Sequence, residues 1–137
     1  GPSALKPTEQ LEHIEGIIDG FRAAGLEIAA DLPETYEAPA LTQLALVRII
    51  SEGLTNALRH QGPGTHVEVE LALADAAQIT LTSTNPSPTP SEVTGSGVGL
   101  IGVEERAHAL GGRLECSGDA TKFILRAELP MQKENRA

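Results

Sequence analysis

One stretch limits this chain more than any other. Residues 85–97 (Asn-Pro-Ser-Pro-Thr-Pro-Ser-Glu-Val-Thr-Gly-Ser-Gly) crowd three prolines, two glycines and five hydroxyl side chains into thirteen positions. Proline has no N–H to give a ladder or a helix, and glycine loses the most entropy on ordering, so no regular element crosses this segment. The chain on each side must be read separately.

Before the loop, Leu11, Ile14, Ile17, Ile18 and Phe21 recur at three and four, which predicts an amphipathic helix over 8–24. Thr8 is placed to cap its start and Gly25 to end it in a left-handed turn. Leu26, Ile28 and Ala30 alternate as a short strand, and Pro33 to Pro39 connects it onward. Pro39 opens a long helix to about His60, with Leu41, Leu44, Ala45, Ile49, Leu54, Ala57 and Leu58 expected inside, and Gly62-Pro63-Gly64 stops it. Val67 to Leu73 and Ile79 to Ser83 alternate strictly about Asp75-Ala76-Ala77, which predicts an antiparallel hairpin. After the loop come a helix from Gly99 to Leu110, a stop at Gly111-Gly112, and two strands, Arg113 to Ser117 and Lys122 to Leu129.

Strands mixed with three helices indicate an α+β two-layer sandwich: one mixed, mostly antiparallel sheet with the helices on one face. The 137 residues fit one domain that can bury a core without staples, and with only Phe21, Tyr36 and Phe123 as aromatics that core is Leu, Ile, Val and Ala. Gly1-Pro2-Ser3 reads as the scar of a removed tag, residues 4–25 as an N-terminal helix, 26–130 as the domain core and 131–137 as a polar tail. The remainder then reads as a piece of a larger protein. A formal charge of −9, from 10 basic and 19 acidic side chains, argues against a phosphate-backbone footprint, so no direct nucleic acid is expected. The single cysteine, Cys116, excludes an internal disulfide framework and suits a reducing compartment.

Two constellations carry chemistry. In Ser51-Glu-Gly-Leu-Thr-Asn-Ala-Leu-Arg-His60, spacings of four place Glu52, Asn56 and His60 on one helix stripe, with Arg59 adjacent. An Asn carbonyl oxygen is a hard ligand suited to Mg²⁺, and a Glu one turn earlier can orient a nucleophile; the same stripe also fits a plain solvated face. In residues 95–112, Gly95, Gly97, Gly99 and Gly102 lie in and after a loop that opens a helix, where free amides and the dipole favour an anion. A ligand-free glycine loop accounts for that cluster equally, since it lacks the Lys-Ser/Thr ending of a P-loop.

The order of these parts is more telling than either. An E-x-x-x-N helix, a hairpin, a Pro/Gly loop, Gly97-Val98-Gly99-Leu100-Ile101-Gly102, then Glu105-Arg106 and Gly111-Gly112, resembles the ATP-binding domain of sensor histidine kinases. Within these it looks most like the nitrate-sensing and DesK-like subfamily, over roughly Leu26 to Pro130. The resemblance implies the Bergerat ATP-binding fold and, as cofactors, ATP with Mg²⁺. It implies Asn56 as the Mg²⁺ ligand, Glu52 as the catalytic acid beside it, and Arg59 and His60 near the phosphates. Gly97, Gly99, Leu100 and Gly102 would lie at the triphosphate, beneath a mobile lid. The family's first glycine box, D-x-G-x-G, departs here: Asn85 stands at the Asp position as the expected adenine acceptor, and Ser87 and Thr89 replace the glycines. Its prolines should stiffen the start of the lid, leaving Gly95 to Gly99 as the hinge.

The function so implied is transfer of the ATP γ-phosphoryl to a His on a separate dimerisation domain, for relay to a response regulator. The fragment would be a monomer that does not autophosphorylate, from a homodimeric parent; the domain would be cytoplasmic, the parent soluble or membrane-anchored. Rival readings are an anti-sigma-type serine kinase and a non-catalytic module in which the altered box has abolished nucleotide binding. His13 is a surface or boundary histidine on this reading, His66 and His108 have no partner at metal-ligand spacing, and Cys116 has no paired base.

Overall fold

The alternation at 66–84 builds the centre of the sheet. In a computed structural model, which describes residues 11–90 and 98–131, β2 (His66–Leu73) and β3 (Ala76–Thr84) pair antiparallel with Val67 opposite Ser83 and Leu71 opposite Ile79. The turn between them is Ala74-Asp75, one position earlier than expected, because Ala77 already pairs with Leu73. β1 (Glu27–Asp31) lies parallel to β2, which requires a crossover, and α2 (Ala40–Gln61) supplies it. β5 (Lys122–Pro130) inserts between β3 and β4 (Arg113–Gly118), pairing antiparallel with both. The order is β1-β2-β3-β5-β4, and α1 (Ile14–Ala23), α2 and α3 (Val98–Ala109) cover one face. This is the α+β architecture that the pattern predicts.

Ile14 and Ile18 of α1, Leu46, Ile50 and Leu54 of α2, and Val69, Ile79, Leu81 and Leu125 of the sheet are all buried. Each such side chain contributes about 1.5–3 kcal/mol relative to exposure. Gly53 lets α2 settle on the sheet, since a Cβ there would meet Leu81 Cδ1 at 2.8 Å. Two expectations fail at the edges of patterns. Leu41 is 62% exposed because the buried stripe of α2 runs through Thr42, Ala45 and Ile49, and Leu41 falls outside that arc. Ala30 is exposed because β1 is an edge strand whose burial rests on Ile28 alone. Arg22 covers that edge, donating from Nε and Nη2 to the Ile28 carbonyl at 3.2 and 2.9 Å. Gly25 has φ +120° at the end of α1, as expected, whereas the Thr8 cap lies outside the described residues. Among the described residues no helix is long and apolar enough to cross a membrane.

Candidate functional site

The topology brings three separated segments to one place. Because β5 lies beside β3, the β4–β5 turn sits next to the end of β3, and the Asn85 amide donates to the Thr121 carbonyl at 2.9 Å. The C-terminal half of α2 and the start of α3 pack on either side of that junction. Between them is a cavity of about 330 Å³, lined by Asn56, His60 and Gln61 of α2, Leu100 of α3, Gly118, Asp119 and Ala120 of the turn, and Phe123 of β5. That volume lies at the lower end of small-molecule sites.

The stripe on α2 forms as the spacing requires. Asn56 and His60 line the cavity; Glu52, one turn earlier, is half-buried and faces α3. Gly99 is fitted to it, because a Cβ there would collide with the Glu52 carboxylate. Leu100 lies in the cavity wall. Gly102 points elsewhere: it is exposed on α3, and a Cβ there would meet nothing within 4 Å. Arg59 is half-buried but is not in the cavity wall. Gly97, Gly95 and the hinge segment before Val98 lie outside the described residues.

Asn85 sits behind the cavity floor with its amide engaged in the protein itself. Nδ2 donates to the Gln61 carbonyl at 2.9 Å and to Thr65 Oγ1 at 3.0 Å. Oδ1 accepts from the Ser87 amide at 2.9 Å. A backbone carbonyl can only accept, and Thr65 Oγ1 spends its own proton on the Gly62 carbonyl at 2.6 Å, so the orientation of the amide is determined. Thr89 also donates to the Gln61 carbonyl, at 3.0 Å, and its carbonyl lies so close to Gly62 that a Cβ there would meet it at 2.5 Å. Hydrogen bonds from Asn85 and Thr89 thereby tie the first residues of the Pro-rich loop to the end of α2.

Gln61, Gly118, Asp119 and Ala120 carry no functional mark in the sequence pattern, and Phe123 reads there only as an aromatic of the fold. The signal available was the Asp-x-Thr turn between two alternating strands, which predicts a side-chain–backbone turn. Asp119 Oδ1 accepts from the Thr121 amide and hydroxyl and from the Lys122 amide, at 2.9, 2.8 and 3.2 Å. The Thr121 hydroxyl first, then these amides, hold the Asp119 carboxyl below the usual range, so it is a fixed negative charge at the cavity rim. Cys116 on edge strand β4 is exposed as a residue, yet partial burial of the thiol, and then Glu104, push its pKa up. It is a thiol at neutral pH and no nucleophile.

Residues 42–133 match the family described as histidine kinase-, DNA gyrase B- and HSP90-like ATPase. The chain belongs to this family. The fold of this ATPase-family domain is that of histidine kinase catalytic domains. It superposes on the histidine kinase domain of the Erythrobacter litoralis EL346 blue-light-activated kinase with a TM-score of 0.68 at 20% identity, over 94% of this chain and 66% of that one. Acinetobacter baumannii AdeS gives 0.68 at 18% identity, over 89% of this chain and 64% of that one. The catalytic domain of histidine kinase ThkA gives 0.65 at 13% identity, over 90% of this chain and 94% of that one. The chain thus spans about two thirds of the first two. No curated protein sequence matches it.

The family binds ATP, typically with Mg²⁺, and the donor set here suits that pair. Among the described residues no group of three or more His, Cys, Asp or Glu side chains converges on a point. The cavity instead offers the Asn56 amide and the His60 imidazole, with Asp119 at its rim, beside the first turn of α3. Such a site suits a Mg²⁺ that takes most of its oxygens from phosphates and water.

Proposed function

We propose that this domain is the ATP-binding catalytic part of a two-component sensor histidine kinase, of the nitrate-sensor and DesK-like kind. The observation that carries the proposal is the single cavity in which Asn56, His60 and Leu100 meet, with Glu52 against Gly99 immediately beside it. When bound, Mg²⁺-ATP supplies the γ-phosphoryl group and the charge neutralisation that lets its phosphates enter an acidic domain.

The chain's own residues then have distinct tasks. Asn56 presents its side-chain oxygen as a metal ligand, on a helix too well packed to move. His60 and Arg59, in the last turn of α2, favour negative charge at that end. The first amides of α3, at Gly99 and Leu100, would donate to phosphate oxygens, since a helix start favours an anion. Leu100 and Phe123 wall the cavity with apolar surface. Glu52 holds the proton of the imidazole that receives the phosphoryl group. That imidazole belongs to a dimerisation domain, and a response regulator takes the phosphoryl group next. The domain's contribution is positioning and charge placement.

Two measurements test this. Calorimetric titration of the domain with ADP and Mg²⁺ should show saturable binding, and no heat would favour a non-catalytic module. In the full-length kinase, Asn56→Ala should abolish autophosphorylation while leaving the protein folded; retained activity refutes the metal assignment.

A further inference from the structure

The cavity wall includes a buried polar side chain at the end of α2. Gln61 is 2% exposed, yet it lines the cavity. Its Nε2 donates to the carbonyl of Ser83, itself fully buried, at 3.2 Å. A carbonyl cannot donate, so the Gln61 amide is held in one orientation, with Oε1 on the other branch. Among the described residues no donor reaches Oε1. The Gln61 backbone is fixed as firmly, its carbonyl accepting from both Asn85 Nδ2 and the Thr89 amide. The floor is thus a preorganised acceptor beneath walls that include Leu100 and Phe123.

We infer that Gln61 is the residue that reads the base, its Oε1 accepting a hydrogen bond from the exocyclic amine of adenine, while Asn85 ties the start of the Pro-rich loop to the end of α2 and does not touch the base. This deepens the nucleotide reading above and rests on it. The chemistry of the slot selects its ligand. A flat heteroaromatic ring fits against the apolar surface of Leu100 and Phe123, and an acceptor held in one orientation rewards an amine at the ring edge. A ring carbonyl there would set two acceptors against each other, and Gln61 cannot turn its amide without opposing Oε1 to the Ser83 carbonyl. Asn85 is not placed to read the ring edge: it is not in the cavity wall, and its Nδ2 points at Gln61 and Thr65.

The test is a calorimetric series with Mg²⁺ and three diphosphates: ADP, the 6-unsubstituted purine riboside diphosphate, and inosine diphosphate. The wild-type domain should bind ADP about tenfold tighter than the 6-unsubstituted ligand, and about a hundredfold tighter than inosine diphosphate. In Gln61→Met both ratios should fall to within about twofold, with a melting curve to verify folding. Because Gln61→Met leaves the Ser83 carbonyl without its donor, Asn85→Ala is a second variant, and it should keep both ratios even where all affinities drop. Ratios retained in Gln61→Met, or lost in Asn85→Ala, overturn the assignment. Equal binding of all three ligands by wild type overturns it too, and leaves nucleotide binding standing. Absence of binding by any of them rejects the nucleotide reading and this inference together.

Discussion

Asn85→Asp is the most informative single change, because the resemblance and the structure give it opposite signs. From the family's first glycine box, an ionised acceptor in place of Asn85 should strengthen the hold on adenine. From the geometry it should damage the fold. The Asn85 Nδ2 donates to the Gln61 carbonyl at 2.9 Å and to Thr65 Oγ1 at 3.0 Å, and a carboxylate oxygen in its place has no proton for either. Two neutral hydrogen bonds are lost, at about 1 kcal/mol each. A half-buried carboxylate set against two acceptor oxygens adds about 1 kcal/mol more. The total is about 3 kcal/mol, or a fall in Tm of roughly 10 °C for a domain of this size.

The sign against pH is distinctive. Protonated, the introduced carboxyl can donate to the Gln61 carbonyl again, so its pKa in the folded state is raised above the unfolded value of about 3.9. The folded state then binds more protons between those two pKa values, and stability relative to wild type falls as pH rises through that window. Below about pH 4 most of the penalty should be gone. Asn85→Ala, which loses the bonds without adding charge, should cost about 2 kcal/mol with no such relief in acid. Urea unfolding of the three proteins from pH 3.5 to 7.5 measures all of this. An Asn85→Asp domain as stable as wild type at pH 7, or equally weakened at every pH, refutes the hydrogen-bond assignment at Asn85.

The other predictions address the site and its supports. Asn56→Ala should leave the unfolding free energy within about 1 kcal/mol of wild type, since Ala is the better helix former, while Mg²⁺-dependent ADP binding collapses; calorimetry and melting separate the two. Gly62→Ala should cost more than about 1 kcal/mol by denaturant unfolding, because Gly62 has φ +91° and a Cβ there would meet the Thr89 carbonyl at 2.5 Å. Asp119 has a lowered pKa, so it contributes stability above the unfolded value of about 3.9 and loses it as pH falls through the folded value. Thr121→Val removes the largest cause of that depression, and NMR titration of the Asp119 carboxyl should show its pKa rise. Hydrogen exchange with a non-hydrolysable ATP analogue and Mg²⁺ should show added protection at Val98 to Gly102 and little change in β5; equal protection in both states rejects phosphate binding at the start of α3.

What the sequence determined by itself were the features that local period controls. Among the described residues, the three α-helices and five strands lie close to where the sequence pattern places them, because each element has one face to bury and repeats that demand along its length. The stripe of Glu52 and Asn56 was legible for the same reason: residues four apart on a helix are neighbours whatever surrounds them. Leu41 marks the limit of that reasoning, since an apolar residue at a helix start carries no mark of which side of the stripe it falls on.

Tertiary structure alone decided the rest. Nothing in the local pattern of β4 and β5 says that β5 enters between β3 and β4, yet that insertion carries Asp119 and Phe123 into the cavity wall. Gln61 reads as one more polar residue at a helix end until the sheet covers it and the Ser83 carbonyl fixes its amide. Asn85 stands where the family's acceptor would stand, but its role depends on partners 24 and 20 residues away. An amide has a donor and an acceptor a short distance apart, and only the groups folded against it settle which one faces the ligand.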